Sequence, residues 1–242
     1  MYSNAYILRF AAIVTIVCGV LLASAATLLK PMQQENIQTD IKKNILKAVS
    51  LLESEKAYTK TEILDLFDER MTSIVVNPEG EVLEGLKAED VNPAEEPDHL
   101  PIYLLKDKSD DVIAYCIPIE GKGLWSTIHG YLALEADLNT VRGVTFYDHG
   151  ETPGLGGEIS QQWFQDNFSG KKILDESGNL VSITVAKGQV RDDAKGKEHL
   201  VDGISGATLT GNGINQFLFS DLERYNPYFE EIRNQDQNEV VS

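Results

Sequence analysis

Between Asp202 and Gly213 the chain reads D-G-I-S-G-A-T-L-T-G-N-G, with four glycines and three hydroxyl side chains in twelve positions. Gly203, Gly206, Gly211 and Gly213 permit positive φ and close backbone approach. Ile214, Phe217, Leu218, Leu222 and Tyr225 follow at helical spacing, so the loop is expected to feed a helix N-terminus. Unpaired N–H groups and the positive end of the helix macrodipole favour an anion such as phosphate there. Thr208 or Ser205 stands where such a group could be held or esterified. Two familiar alternatives fail on residue identity. A G-x-S-x-G elbow needs glycine where Ala207 stands, and the lysine of a G-x-x-x-x-G-K-[ST] loop is missing. A tight structural loop before a helix is the competing reading.

Two further stretches have compositions that present backbone to a ligand. Glu151 to Glu158, E-T-P-G-L-G-G-E, combines a proline with three glycines, although alone it reads equally as a structural turn. Gly123-Leu124-Trp125-Ser126 precedes an expected strand, where Trp125 either stacks on a planar ligand or fills the core. Lys187 ends another expected strand and is followed by Gly188, so it is either a phosphate neighbour or a solvated lysine. His99, His129, His149 and His199 show no metal-binding spacing, and no Ser-His-Asp set or carboxylate pair can be nominated.

Resemblance adds to these readings. Ser205-Gly206-Ala207-Thr208, preceded by Asp202-Gly203, resembles the flavinylation motif of FMN-binding domains, in which the last threonine carries FMN through a phosphoester. That assigns the attachment to Thr208. The blocks at Gly123 to Ser126 and His149 to Glu158 are similar to those of the C-subunit family of the sodium-translocating NADH:quinone reductase, and the likeness covers nearly the whole chain. It implies covalent FMN, with Ser205, Gly206, Ala207, Thr152, Gly154, Leu155, Trp125 and Lys187 around it, whereas Glu151 and Pro153 are expected only to shape their turn. It further implies an electron relay within a membrane respiratory complex, and a separate flavin transferase that attaches FMN from FAD with magnesium. The G subunit of the Rnf electron-transport complex shares anchor, domain and motif, but the G-L-W-S and E-T-P-G-L-G-G-E blocks favour the quinone reductase. A cofactor-free, membrane-anchored assembly or binding protein is the reading from another class.

The elements that must position these residues follow from composition and periodicity. The chain has 242 residues, 42% of them hydrophobic, enough for one sizeable core with a segment left for an anchor. A net charge of −17 and a pI near 4.6 argue against nucleic acid as a partner. Cys18 and Cys116 define no disulfide framework. Phe10 to Leu29 is an uncharged run long enough, at roughly 30 Å as a helix, to cross a bilayer. A cleaved signal peptide ending at Ala23-Ser24-Ala25 is the rival, disfavoured by the long apolar region and an n-region offering only Arg9. Lys30, Lys42, Lys43 and Lys47 lean toward a cytoplasmic C-terminal domain. The resemblance implies the opposite, a flavin domain on the periplasmic side of the inner membrane.

Gln33 to Leu52 and Thr59 to Phe67 have amphipathic helical spacing, with Thr59 or Thr61 as the cap of the second. Glu79 to Pro101, rich in proline and acidic residues, reads as an irregular surface loop. Pro101–Leu105, Val112–Ile117, Ile128–Ala136, Gly143–Tyr147 and Leu180–Ala186 read as strands, and Glu158 to Phe168 as helical. The expected class is α+β, a single transmembrane helix followed by a curved antiparallel sheet with flanking helices. The expected divisions are an anchor over 1–30 and an extracytoplasmic domain over 31–242, with the FMN-binding core in 120–225.

Overall fold

The computed structural model describes residues 3–53, 56–91 and 95–241; part of the loop expected between Glu79 and Pro101 lies outside the described residues. Two compact units divide the chain, Met1–Ile41 and Lys42–Ser242. The first is most of helix α1 (Asn4–Ala48), whose apolar side chains over the expected anchor, such as Leu22 and Leu28, are exposed. Its length and composition fit one membrane crossing. Helix α1 is continuous through Pro31, which removes one helical hydrogen bond without ending the helix. The anchor and the amphipathic segment after it are therefore one helix, ending at Ala48 rather than Leu52.

The second unit is built on a five-stranded antiparallel sheet in sequential order, β1 (Met71–Val76), β2 (Leu100–Lys106), β3 (Val112–Lys122), β4 (Thr127–Glu135) and β5 (Val141–Asp148). Its register shifts at Leu105/Lys106, His129/Gly130 and Ala133/Leu134, irregularities of the kind that bend a strand locally. Alternation assigns the two faces. Ile117 and Ile119 of β3, Leu132 of β4 and Phe146 of β5 join Ile214, Leu218, Leu222 and Phe229 of α4 (Thr208–Val241) in the main core. Phe164 and Phe168 pack edge-on to one another beside Phe146. On the other face Tyr103 sits between Phe67 of α2 (Lys60–Arg70) and Tyr131 in edge-to-face geometry. Thr59 caps α2 through a capping box with Glu62.

Three expectations change in detail. Glu158 to Phe168 is not one helix but a 3₁₀ turn at Gly156–Ser160, a short helix α3 (Gln162–Gln165) and another 3₁₀ turn at Asp166–Phe168. Leu180–Ala186 shrinks to β6 (Thr184–Val185), paired in parallel with β7 (Leu200–Val201). The N–H groups of Val181 and Ser182 both turn to the Ile173 carbonyl, and Ser182 adopts φ +62°, which interrupts a longer strand. Strand β1 has no counterpart among the expected elements.

Candidate functional site

Helix α4 begins at Thr208, directly after a turn in which the Ala207 N–H donates to the Ile204 carbonyl at 3.1 Å. Gly206 sits in that turn at φ +75°, a conformation costly for any residue with a Cβ. The Gly211 N–H donates to the Ala207 carbonyl at 2.9 Å. The N–H groups of Thr208, Leu209 and Thr210 precede it and have no i−4 acceptor within the helix, as at any helix N-terminus.

The three hydroxyls of this segment differ in exposure. Ser205 and Thr208 are exposed, whereas Thr210 is 1% exposed and donates to Glu151 Oε2 at 2.6 Å. Thr208 is the hydroxyl that stands free on the first turn of α4.

Glu151 binds the three glycine-containing blocks together. It is 5% exposed and accepts hydrogen bonds through Oε1 from the Trp125 N–H at 2.8 Å and the Ser126 N–H at 3.4 Å. Burial raises its pKa, but the hydrogen bonds from Thr210 and from the backbone of Trp125, Ser126 and Leu124 outweigh this and hold the carboxyl below its ordinary range. Room for the carboxylate comes from absent side chains. A Cβ on Gly123 would lie 2.6 Å from Glu151 Oε1, and one on Gly156 would lie 2.5 Å from Thr210 Oγ1 and 2.8 Å from Glu151 Oε2. Glu151 thus does much more than shape its own turn. One local signal of this was present, a carboxylate beside glycines with no adjacent cation.

The remaining expected residues fall around the same helix start. Gly203 docks on the end of β6, where a Cβ would overlap the Ala186 carbonyl, and its N–H donates to the Gly188 carbonyl at 2.8 Å. Lys187 and Gly188 therefore line one cleft with Ile204, Ala207, Thr208 and Asn212. Asp202 fixes the adjoining loop by accepting from the Val190 N–H at 2.7 Å. Asn215, not anticipated from sequence, clamps β6 by accepting from the Val185 N–H and donating to the Val185 carbonyl. Leu155 is 43% exposed, and its Cδ2 lies 2.8 Å from where a Cβ on Gly206 would stand. The Leu155 N–H is spent inside its turn on the Thr152 carbonyl, which also accepts from Gly157. Leu155 thus faces the S-G-A-T turn with its side chain, and Thr152 and Gly154 are exposed on the same loop. Trp125 is 71% exposed, so its indole is on the surface and does not fill the core.

Helix start, exposed hydroxyl, nearby lysine and exposed apolar side chains suit a phosphorylated ligand with a planar apolar group. Comparison with known proteins agrees. Residues 123–220, which include all three blocks, match the FMN-binding domain family. The C subunit of the Na(+)-translocating NADH-quinone reductase from Haemophilus ducreyi is 37% identical over 232 residues, 86% of this chain and 85% of that one. Its Pseudomonas aeruginosa counterpart is 36% identical over 241 residues, 89% and 90% of the two chains. The crystal structure of the C subunit from Parabacteroides distasonis superposes with a TM-score of 0.72 at 31% identity, covering 83% of this chain and 96% of that one. Shewanella oneidensis NqrC gives 0.65 at 26% identity, covering 81% and 97%. On these likenesses, the chain belongs to the C-subunit family of the Na(+)-translocating NADH-quinone reductase.

Proposed function

We propose that this chain is an electron-relay subunit of the sodium-translocating NADH:quinone reductase and carries FMN as a phosphoester of Thr208. The observation that carries the reading is the contrast between two threonines of one helix turn, Thr208 exposed at the helix start and Thr210 buried against Glu151. FMN supplies one- and two-electron redox chemistry, and the protein supplies attachment and orientation. The first-turn amides of α4 and Lys187 would hold the phosphate. Trp125 and Leu155 would offer apolar contact to the rings, with Thr152, Gly154, Ser205, Gly206 and Ala207 forming the surrounding backbone.

Attachment requires another protein, a flavin transferase acting on FAD. In that transfer Thr208 would supply the hydroxyl oxygen that takes the flavin-side phosphorus, with AMP as the leaving group that carries off the hydroxyl proton. The apolar part of α1, over 1–30, serves as a lipid-embedded anchor. Residues 31–242 form the periplasmic domain, with its FMN-binding core in 120–225. One helix cannot wall a polar route through lipid, so sodium translocation belongs to the assembled complex.

The test is denaturation of the full chain after co-expression with the transferase. Flavin absorbance that stays with the acid-precipitated polypeptide is the expected result, and complete release of flavin to the supernatant contradicts the proposal.

A further inference from the structure

The residue joining the three blocks is itself charged. Among the described residues Glu151 has no ion-pair partner, and its charge is stabilised by neutral hydrogen-bond donors from the turn at Gly123–Ser126 and from Thr210. Such a carboxylate remains an uncancelled negative charge in a partly dehydrated setting, where electrostatic effects reach further than in water.

Its position relative to Thr208 follows from helix geometry. Residues two apart lie about 200° apart around the axis and about 3 Å along it. Glu151 therefore grips the first turn of α4 from the buried side through Thr210, while Thr208 is exposed. Its Oε1 holds the backbone of Trp125, whose indole is exposed, and its own turn carries Leu155 against Gly206. Attachment point, indole and leucine wall are referred to one carboxylate.

Resting on the reading that Thr208 carries FMN, we propose that Glu151 is the positioning residue of the flavin site and that its fixed negative charge lowers the flavin's reduction potential. Reduction adds negative charge to the flavin, and a nearby anion opposes it. Removing the charge while keeping the shape must make reduction easier.

Glu151→Gln does this, because the amide oxygen can still accept from Trp125 and the amide nitrogen can donate to the Thr210 oxygen. The full chain is co-expressed with the flavin transferase as wild type, Glu151→Gln and Thr210→Val. Flavin on the peptide bearing Thr208 is followed by mass spectrometry over time, and the midpoint potential by redox titration, folded and in denaturant. In Glu151→Gln the midpoint potential is expected to rise in the folded protein, with the difference from wild type abolished in denaturant. Thr210→Val keeps the charge and loses the hydroxyl donor, so it slows flavinylation several-fold and shifts the potential less than Glu151→Gln does. Equal potentials in folded wild type and Glu151→Gln overturn the inference. If Glu151→Gln does not fold, wild-type flavinylation kinetics in Thr210→Val overturn it instead. Wild type without flavin on that peptide refutes the underlying flavin reading, an outcome distinct from either.

Discussion

Asp221 of α4 accepts a hydrogen bond through Oδ2 from the Glu120 N–H of β3 at 2.8 Å, joining positions 101 residues apart. Asp221 is 8% exposed, and burial pushes its pKa from 3.8 up to about 7, with the Glu120 charge adding to the rise. The Glu120 N–H and the Arg224 charge oppose the shift without cancelling it. Between about pH 4 and 7 the folded chain thus binds more protons at this site than the unfolded chain. This contribution is full below the unfolded pKa and lost as pH rises through 7, on the order of 4 kcal/mol in all. Asp221→Asn is expected to raise thermal stability relative to wild type at pH 8, with the gain shrinking toward pH 4. A pH-independent difference between the two proteins contradicts the assignment. Glu151, with its lowered pKa, contributes in the opposite sense and is present in both proteins.

A second prediction concerns how closely α4 approaches the sheet. A Cβ on Gly213 would overlap the Lys122 carbonyl, which belongs to backbone and cannot swing away. Alanine is the better helix former by about 1 kcal/mol, so on propensity alone Gly213→Ala would stabilise α4. Overpacking against backbone is expected to win, with a net loss of about 1–3 kcal/mol in chemical denaturation. A stabilised variant shows that the helix moves away freely.

For Trp125 the exposure separates stability from function. At 71% exposed, its indole contributes little to the core, so Trp125→Ala should change unfolding free energy by less than about 0.5 kcal/mol. If the indole stacks on the flavin, the same variant changes the absorption and raises the fluorescence of the bound flavin. Unaltered spectra remove Trp125 from the site.

Much of this arrangement was readable along the chain, where a signal is local. The run of glycines and hydroxyls from Asp202 to Gly213, followed by apolar residues at helical spacing, announces the start of α4 because both features lie in one short window. The four longer strands that follow the loop are legible for the same reason. Asn215 and Asp221 are not, and Glu151 shows only the glycines beside it, since Glu151, Asn215 and Asp221 act on groups 59, 30 and 101 residues away. Their types fit a solvated surface equally well until the fold buries them. The shortening of the strand expected over Leu180–Ala186 is also nonlocal, decided by the Ile173 carbonyl taking two N–H groups that a ladder would have used.

The relay assignment predicts a division of labour. No G-x-G-x-x-G sequence is present to seat a dinucleotide. The isolated, flavinylated chain is expected to accept electrons from a chemical reductant while showing no appreciable NADH:quinone turnover. NADH oxidation by the chain alone at a rate comparable with the complex contradicts a relay role.

The most direct measurement is the mass of the tryptic peptide Glu198–Arg224, which holds Ser205, Thr208 and Thr210, from chain co-expressed with the flavin transferase. Wild type is expected to yield this peptide heavier by FMN less one water, with fragmentation placing the addition on Thr208. Thr208→Val, which keeps the side-chain shape and removes the hydroxyl, yields it unmodified. Full-stoichiometry flavin on the Thr208→Val peptide, or an unmodified wild-type peptide, contradicts the account.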